Sequence, residues 1–213
     1  MPVTDTDPGR STHAPRIGVL AMQGAFAEHV AALHECGADA FEVRTRAQLD
    51  QCDGVVLPGG ESTAIRKALD RCELLEPLRT RIEAGLPTLG TCAGMIVLAD
   101  TAPDGAPPCF ALLDIQVERN GFGSQVHSFE GAVRWSDERV TEGVFIRAPR
   151  IVRTGPDVEV LATLGDGDAA GEPVAVRDGH LLAATFHPEL TSDRTLHARL
   201  VELARTAAPT TGG

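Results

Sequence analysis

The chain has 213 residues, 43% of them hydrophobic and 23% charged, which suits a single globular domain with its own core. Thirty acidic against 19 basic side chains leave a net charge of −11, so the chain lacks the basic excess of a general nucleic-acid binder. No run approaches the roughly 18 apolar residues of a membrane span, residues 1–15 lack a signal pattern, and five cysteines without a CxxC pair argue against a disulfide framework or a structural zinc site. A reducing cytoplasm, no metal and no cofactor are expected. With only 8 aromatic residues and no tyrosine, stacking on bases or sugars is poorly served and small-molecule chemistry is favoured.

Residues 1–15 are polar and broken by proline and glycine, and read as a disordered leader; residues 207–213 (AAPTTGG) read as a frayed tail. Residues 16–206 between them form one domain. Its first half alternates strand and helix. Residues 16–21 (RIGVLA) suit a buried strand, and residues 26–36 have helical periodicity, with Phe26, Val30 and Leu33 on one face and Gly37 as a stop. Residues 41–43 and 54–57 are the next strands, the second breaking at Pro58-Gly59-Gly60. Helices follow over 61–70 and 74–84, then a strand over 87–90 that runs into an apolar helix at 95–100. Alternation of this kind implies parallel strand-helix-strand units.

The second half is β-rich, with short segments at 112–118, 131–135, 143–147, 158–164, 173–177 and 180–186, and turn signals such as Asp178-Gly179. These read as hairpins added to the parallel core. A final helix over 193–206 has Ser192 or Asp193 as its cap. The expected fold is a three-layer α/β domain, a mostly parallel central sheet with helices on both faces, holding its ligand at the carboxyl ends of the strands.

The sharpest chemical signal is Gly90-Thr91-Cys92-Ala93-Gly94 at a strand-to-helix turn, the cysteine form of a nucleophile elbow. Flanking glycines permit the tight turn. The helix that follows lowers the thiol pKa and offers backbone N–H groups to an oxyanion. Such a nucleophile needs a base and a group that orients the base. Of seven histidines, His187 stands out because it follows an apolar strand and precedes Pro188-Glu189, so His187 and Glu189 project from one side. A lone His-Pro-Glu also suits an exposed turn; it gains meaning beside the Cys92 elbow. Leu57-Pro58-Gly59-Gly60-Glu61-Ser62-Thr63 lets backbone approach a ligand closely at a helix start, or is a plain turn capped by Ser62. Glu118-Arg119-Asn120-Gly121-Phe122-Gly123 offers a carboxylate clamp in Arg119, or a solvated hairpin tip, and Phe145-Ile146-Arg147-Ala148-Pro149 is equally open.

Taken together, these segments resemble the class I, or triad, glutamine amidotransferases, and more closely the glutaminase subunits of pyridoxal 5'-phosphate synthase. The matching stretches are IGVLAMQGAFAEHV from Ile17, LPGGESTAIRK from Leu57, GTCAGMIVLA from Gly90, VERNGFGSQVHSFEG from Val117, FIRAPRI from Phe145 and AATFHPELT from Ala183. The elbow and His-Pro-Glu are shared by many triad glutaminases. MQG-x-x-x-EH, GGEST, ERN-x-FG-x-Q and FIRAP narrow the match. The resemblance implies that Cys92 is the nucleophile, His187 the base and Glu189 the residue that orients it. It implies that Gly60, Glu61 and Ser62 form the glutamine loop, that Arg119, Ile146 and Arg147 make further glutamine contacts, and that the backbone N–H groups of Gly60 and Ala93 hold the oxyanion. Residues 101–108 and 166–172 look like additions to the family pattern.

The implied reaction is hydrolysis of L-glutamine to glutamate and ammonia. The implied partner is a (β/α)8-barrel synthase subunit that makes pyridoxal 5'-phosphate from a pentose phosphate, a triose phosphate and that ammonia. The resemblance also implies weak glutaminase activity until the synthase docks, and places Gln23 at the docking face. Three other readings stand beside it: a glutaminase feeding another synthase, such as that of imidazole glycerol phosphate; a non-enzymatic, cysteine-bearing α/β binding protein; and a cysteine peptidase, for which the short Gly-Gly loop is a poor pocket.

Overall fold

The computed structural model describes residues 14–101, 108–119 and 128–207. The expected leader and tail therefore lie outside the described residues except at Ala14, Pro15 and Ala207, as do most of 101–108 and the Asn120–Gly123 part of the Arg119 segment.

The first half runs along the chain as β1 (Arg16–Leu20), α1 (Phe26–Glu35), β2 (Asp39–Val43), α2 (Arg46–Leu49), β3 (Gly54–Leu57), α3 (Ser62–Arg71), α4 (Leu75–Glu83), β4 (Thr88–Thr91) and α5 (Ala93–Leu98). Then come β5 (Ala99–Thr101), β6 (Leu113–Glu118), β7 (Ser128–Trp135), β8 (Val140–Ile146), β9 (Arg150–Thr154), β10 (Glu159–Leu164), β11 (Pro173–Asp178), β12 (Leu181–Ala184) and α6 (Thr195–Thr206). Neither the short α2, capped by a Thr45–Gln48 capping box, nor β5 and β9 is expected from the sequence. Ala99 and Asp100, read as the end of a helix, are strand instead, because the chain leaves α5 at Ala99 with extended geometry and pairs with β6.

Nine strands form one sheet in the order β2-β1-β3-β4-β12-β11-β10-β7-β8. The first five are parallel to their neighbours, with β12 registering on β4 from Leu181↔Thr88 to Ala184↔Thr91. The last four are antiparallel hairpin strands that extend the same sheet. A separate sheet, β5-β6-β9, packs nearby.

Strand alternation divides the core between the two faces. On one face Val55 and Leu57 of β3 and Leu181 and Ala183 of β12 pack with Ile65 and Leu69 of α3, Leu78 and Ile82 of α4, and Leu113 and Ile115 of the small sheet. On the other, Val56, Leu182 and Ala184 meet Leu33 of α1 and Leu196, Leu200 and Val201 of α6. The central strands are buried on both faces, which is why β3, β4 and β12 read as unbroken apolar or small-residue runs. Asp193 Oδ1 accepts the Thr195 N–H at 2.8 Å at the start of α6, while Arg194 is the helix-flanking residue and has no side-chain cap bond. The 166–172 segment is tied down at its end, where Arg150 Nε and Nη2 each donate to Glu172 at 2.6 Å. No helix among the described residues is long and apolar enough to cross a membrane.

Candidate active site

Three chain segments meet at the carboxyl ends of the adjacent strands β3, β4 and β12. The topology alone brings them together, because β4 lies between β3 and β12 in the sheet. Cys92 follows β4 and precedes α5 with φ 49° and ψ −109°, a conformation that L residues rarely adopt. Its N–H donates to Ala184 O on β12 at 2.8 Å, which fixes the turn to the neighbouring strand. Gly94 packs against the backbone of Leu57, where an added Cβ would overlap the Leu57 carbonyl oxygen. Cys92 is 6% exposed, and its Sγ faces Ile146 O at 3.8 Å.

His187 stands three residues past the end of β12, held by its own N–H donating to Val144 O at 2.9 Å. Pro188–Leu190 then forms a single 3-10 turn, and this turn brings Glu189 back to the His187 ring, on the side expected from the sequence. Glu189 Oε1 lies 2.7 Å from His187 Nδ1, with the carboxylate side chain fully buried. Burial works against a charged imidazole at His187. Hydrogen bonding to Cys92 and Glu189 and their negative charge outweigh it and push the pKa up to about 10. An imidazole with that affinity for a proton, hydrogen-bonded to Cys92 and oriented by Glu189, is equipped to serve the thiol as its base. Burial raises the Cys52 thiol to about 12 and the Cys109 thiol to about 11, and neither lines the site.

The Gly-Gly loop closes over this pair. It joins β3 to α3, whose start is capped by Glu61 rather than Ser62: the Glu61 carboxylate accepts the N–H groups of Thr63 at 2.9 Å and Ala64 at 2.8 Å. Desolvation works against the charged carboxylate, but those bonds together with the Arg119 charge outweigh it and hold the Glu61 carboxyl below its usual pKa. Arg119 Nη2 donates to Ser62 Oγ at 2.9 Å, so the end of β6 reaches across to the loop. Arg147, just after β8, has φ 45° and turns toward the same space.

The result is a cavity of about 370 Å³. Every site residue expected from the sequence borders it except Glu189, which lies behind His187: Gly60, Glu61, Ser62, Cys92, Ala93, Arg119, Ile146, Arg147 and His187. Gly24, Ile96 and Leu190 also line it; they fall within the matching stretches but carry no site role in the sequence reading. Gln23 Oε1 accepts the Glu61 N–H at 3.0 Å, tying the MQG segment to the loop. Behind Glu189 lie two buried histidines, His29 and His197, whose only trace in the sequence is the EH of MQG-x-x-x-EH for the first and nothing for the second.

A cysteine in a strained turn, an imidazole–carboxylate pair and a pocket with charged side chains at its rim are the parts of an acyl-transfer site. Comparison with known proteins bears on which one. Residues 19–205 match the SNO glutamine amidotransferase family. The chain is 53% identical over 198 residues to the pyridoxal 5'-phosphate synthase subunit PdxT of Salinispora arenicola, covering 91% of this chain and 98% of that one. It is 46% identical to the protein of the same name from Nocardia farcinica, covering 100% and 96% of the two chains. A solved glutamine amidotransferase structure superimposes with TM-score 0.80 at 46% identity over 88% of this chain and 98% of that one. The structure of PurLQS from Thermotoga maritima, at TM-score 0.64 and 17% identity over 90% and 97% of the chains, shares the fold. By the extent of these matches, the chain belongs to the SNO glutamine amidotransferase family.

Proposed function

We propose that the chain hydrolyses the side-chain amide of L-glutamine through Cys92, His187 and Glu189 and delivers the ammonia to the synthase that makes pyridoxal 5'-phosphate. The observation that carries this reading is the 2.7 Å His187–Glu189 contact beside a cysteine held at φ 49° in a pocket sized for one small molecule. The names of the relatives support this acceptor over that of imidazole glycerol phosphate synthase. Residues 16–206 are the glutaminase domain in this reading, and the synthase partner is a (β/α)8 barrel.

The Cys92 thiolate attacks the side-chain amide carbon of glutamine. The oxyanion is taken by the backbone N–H groups of Gly60 and Ala93, each worth about 3–4 kcal/mol in the transition state. The protonated His187 hands its proton to the departing nitrogen, and ammonia leaves behind a γ-glutamyl thioester. The neutral imidazole then takes a proton from water, whose oxygen attacks the thioester, and glutamate is released with the thiolate restored. Glu189 keeps the imidazole in the required tautomer and stabilises its charged form. Arg119 supplies positive charge to the α-carboxylate. Gly60, Glu61, Ser62, Ile146 and Arg147 orient the rest of the amino acid, largely through backbone groups.

Glutamate release from glutamine by the purified chain, alone and with the synthase partner, tests the reading, with Cys92→Ala as control. Release that rises with the synthase and vanishes in the variant is expected. Absence of release in both conditions overturns the glutaminase, and release indifferent to the synthase overturns the acceptor.

A further inference from the structure

Glu189 is itself held from behind. Its Oε1 is taken by His187, while its Oε2 is buried and has no hydrogen-bond partner of good geometry among the described residues. What faces that oxygen is His29 Nε2, 3.2 Å away, from the middle of α1. The same nitrogen is 3.3 Å from Thr91 Oγ1, on the residue just before the nucleophile. His29 Nδ1 in turn lies 2.9 Å from His197 Nε2 on α6. Both rings are fully buried.

These distances select a tautomer. A bare Nε2 on His29 would set a lone pair against the Glu189 carboxylate and leave a buried carboxylate oxygen without any donor, an expensive arrangement in a desolvated core. A proton on Nε2 removes the lone-pair repulsion, sets a positive N–H edge 3.2 Å from Oε2 without an aligned hydrogen bond, and bonds Thr91 Oγ1 at 3.3 Å. Nδ1 then has to accept, and His197 Nε2–H is the donor in reach. The unpartnered atom left at the end of the chain is His197 Nδ1, which in this arrangement carries a lone pair rather than a stranded N–H. A histidine pair that only packed α1 against α6 would have no need to aim a ring nitrogen at the catalytic carboxylate.

We infer that His29 is a positioning residue of the glutaminase site: its Nε2–H edge restrains the second oxygen of Glu189 through a close electrostatic contact while bonding the side chain next to Cys92, and His197 sets its tautomer. The inference rests on the glutaminase reading for its kinetic consequence, though not for its geometry. Burial, together with the charges His197 and His187 would carry, holds His29 well below the ordinary imidazole pKa, so the ring is neutral and has a single N–H to give. The groups around the pair are Glu189 and His187 on one side and Arg194, Asp193 and Glu35 near His197 on the other.

The test uses the full chain with its synthase partner and compares His29→Leu, which removes the N–H, with His29→Gln, whose amide can return a donor near the Nε2 position. The leucine variant is expected to lose about 100-fold in kcat with little change in KM, the consequence of a misplaced base, and the glutamine variant to recover most of it. Alkylation of Cys92 by iodoacetamide, followed on its peptide without any substrate, should shift to higher pH in the leucine variant and return in the glutamine variant. Wild-type kcat and alkylation in the leucine variant, or equal loss in both variants, overturns the inference. Should the variants fail to fold, the 15N shifts of labelled histidine in the unmodified chain decide it: His29 protonated on Nε2 is expected, and protonation on Nδ1 overturns it. If unmodified protein releases no glutamate, it is the glutaminase reading that falls, while the alkylation and tautomer measurements still judge the role of His29.

Discussion

Gly59 and His187 are in such close approach that a Cβ on residue 59 would sit 2.5 Å from His187 Cε1, and 3.4 Å from Cys92 Cβ. The loop that covers the pocket thus presses bare backbone against His187 and Cys92. Gly59→Ala is expected to displace the imidazole and lower kcat by about 100-fold while the far-UV circular dichroism stays unchanged, since the effect is one of geometry at the reacting group. Steady-state glutamate release with wild-type kcat in this variant would show that the ring has room to spare.

The other glycine contact is structural. A Cβ at residue 94 would overlap Leu57 O, and backbone of a buried central strand cannot yield as a side chain tip can. Gly94→Ala is expected to destabilise the fold by about 1–3 kcal/mol, the range for overpacking, measured as a lower urea midpoint at constant m.

The strain at Cys92 predicts an order among inactive variants. At φ 49° and ψ −109° any L side chain is unfavourable, whereas glycine is not. Cys92→Gly and Cys92→Ala both abolish glutamate release, and the glycine variant is expected to be the more stable by about 1 kcal/mol in parallel thermal melts. The reverse order would mean the turn is not strained.

Stability should depend on pH from both sides. His187 has a folded pKa of about 10, above its value of 6.5 when unfolded, so its contribution is complete below pH 6.5 and is lost as pH rises towards 10. His197 runs the other way. Burial, then the Arg194 charge, lower it to about 4, so folding loses stability as pH falls from 6.5 towards 4, where the unfolded chain binds a proton that the folded chain refuses. Urea denaturation across this range should therefore show a maximum near pH 6–7. His187→Gln is expected to flatten the alkaline limb, and His197→Gln to reduce the acid limb, the remainder coming from His29, which burial also holds below the ordinary imidazole range.

Arg119 bonds Ser62 at 2.9 Å across the mouth of the cavity. If it binds the substrate carboxylate in ground state and transition state alike, Arg119→Ala raises KM by about tenfold or more and leaves kcat nearly unchanged, the loss of one charge-assisted hydrogen bond. A fall in kcat at constant KM would instead give Arg119 a part in the chemistry.

Gln23 is exposed and bonds the Glu61 N–H, so the surface read as the docking face adjoins the glutamine loop. Gln23→Ala is expected to weaken stimulation by the synthase partner more than it weakens basal glutamate release. Equal stimulation of variant and wild type would move the docking surface elsewhere.

Much of this molecule was legible in its residues because the signals are local. The elbow around Cys92, the Gly-Gly turn after β3 and the His-Pro-Glu segment each depend on a few adjacent residues whose backbone demands are visible in their types. The parallel half of the sheet follows from apolar runs too short to be helices and too uniform to be half-exposed strands. Less was legible where pairing is long-range. β5 and β9 are short strands with weak patterns, and they exist because each finds β6 as a partner. Glu61 rather than Ser62 caps α3, since its longer side chain turns back to reach two N–H groups.

The residues proposed to carry the chemistry, and their place at strand ends, were readable from residue types alone, because the Cys92, His187 and Gly-Gly signals each sit in a short contiguous segment. That these segments adjoin depends on long-range strand pairing, which places β4 between β3 and β12. Only the tertiary structure decided that His29 and His197, 168 positions apart, stand in line behind Glu189. The reason is physical: a backbone turn is an interaction among neighbours along the chain, whereas a buried hydrogen-bond chain is satisfied only when distant helices dock and water is excluded.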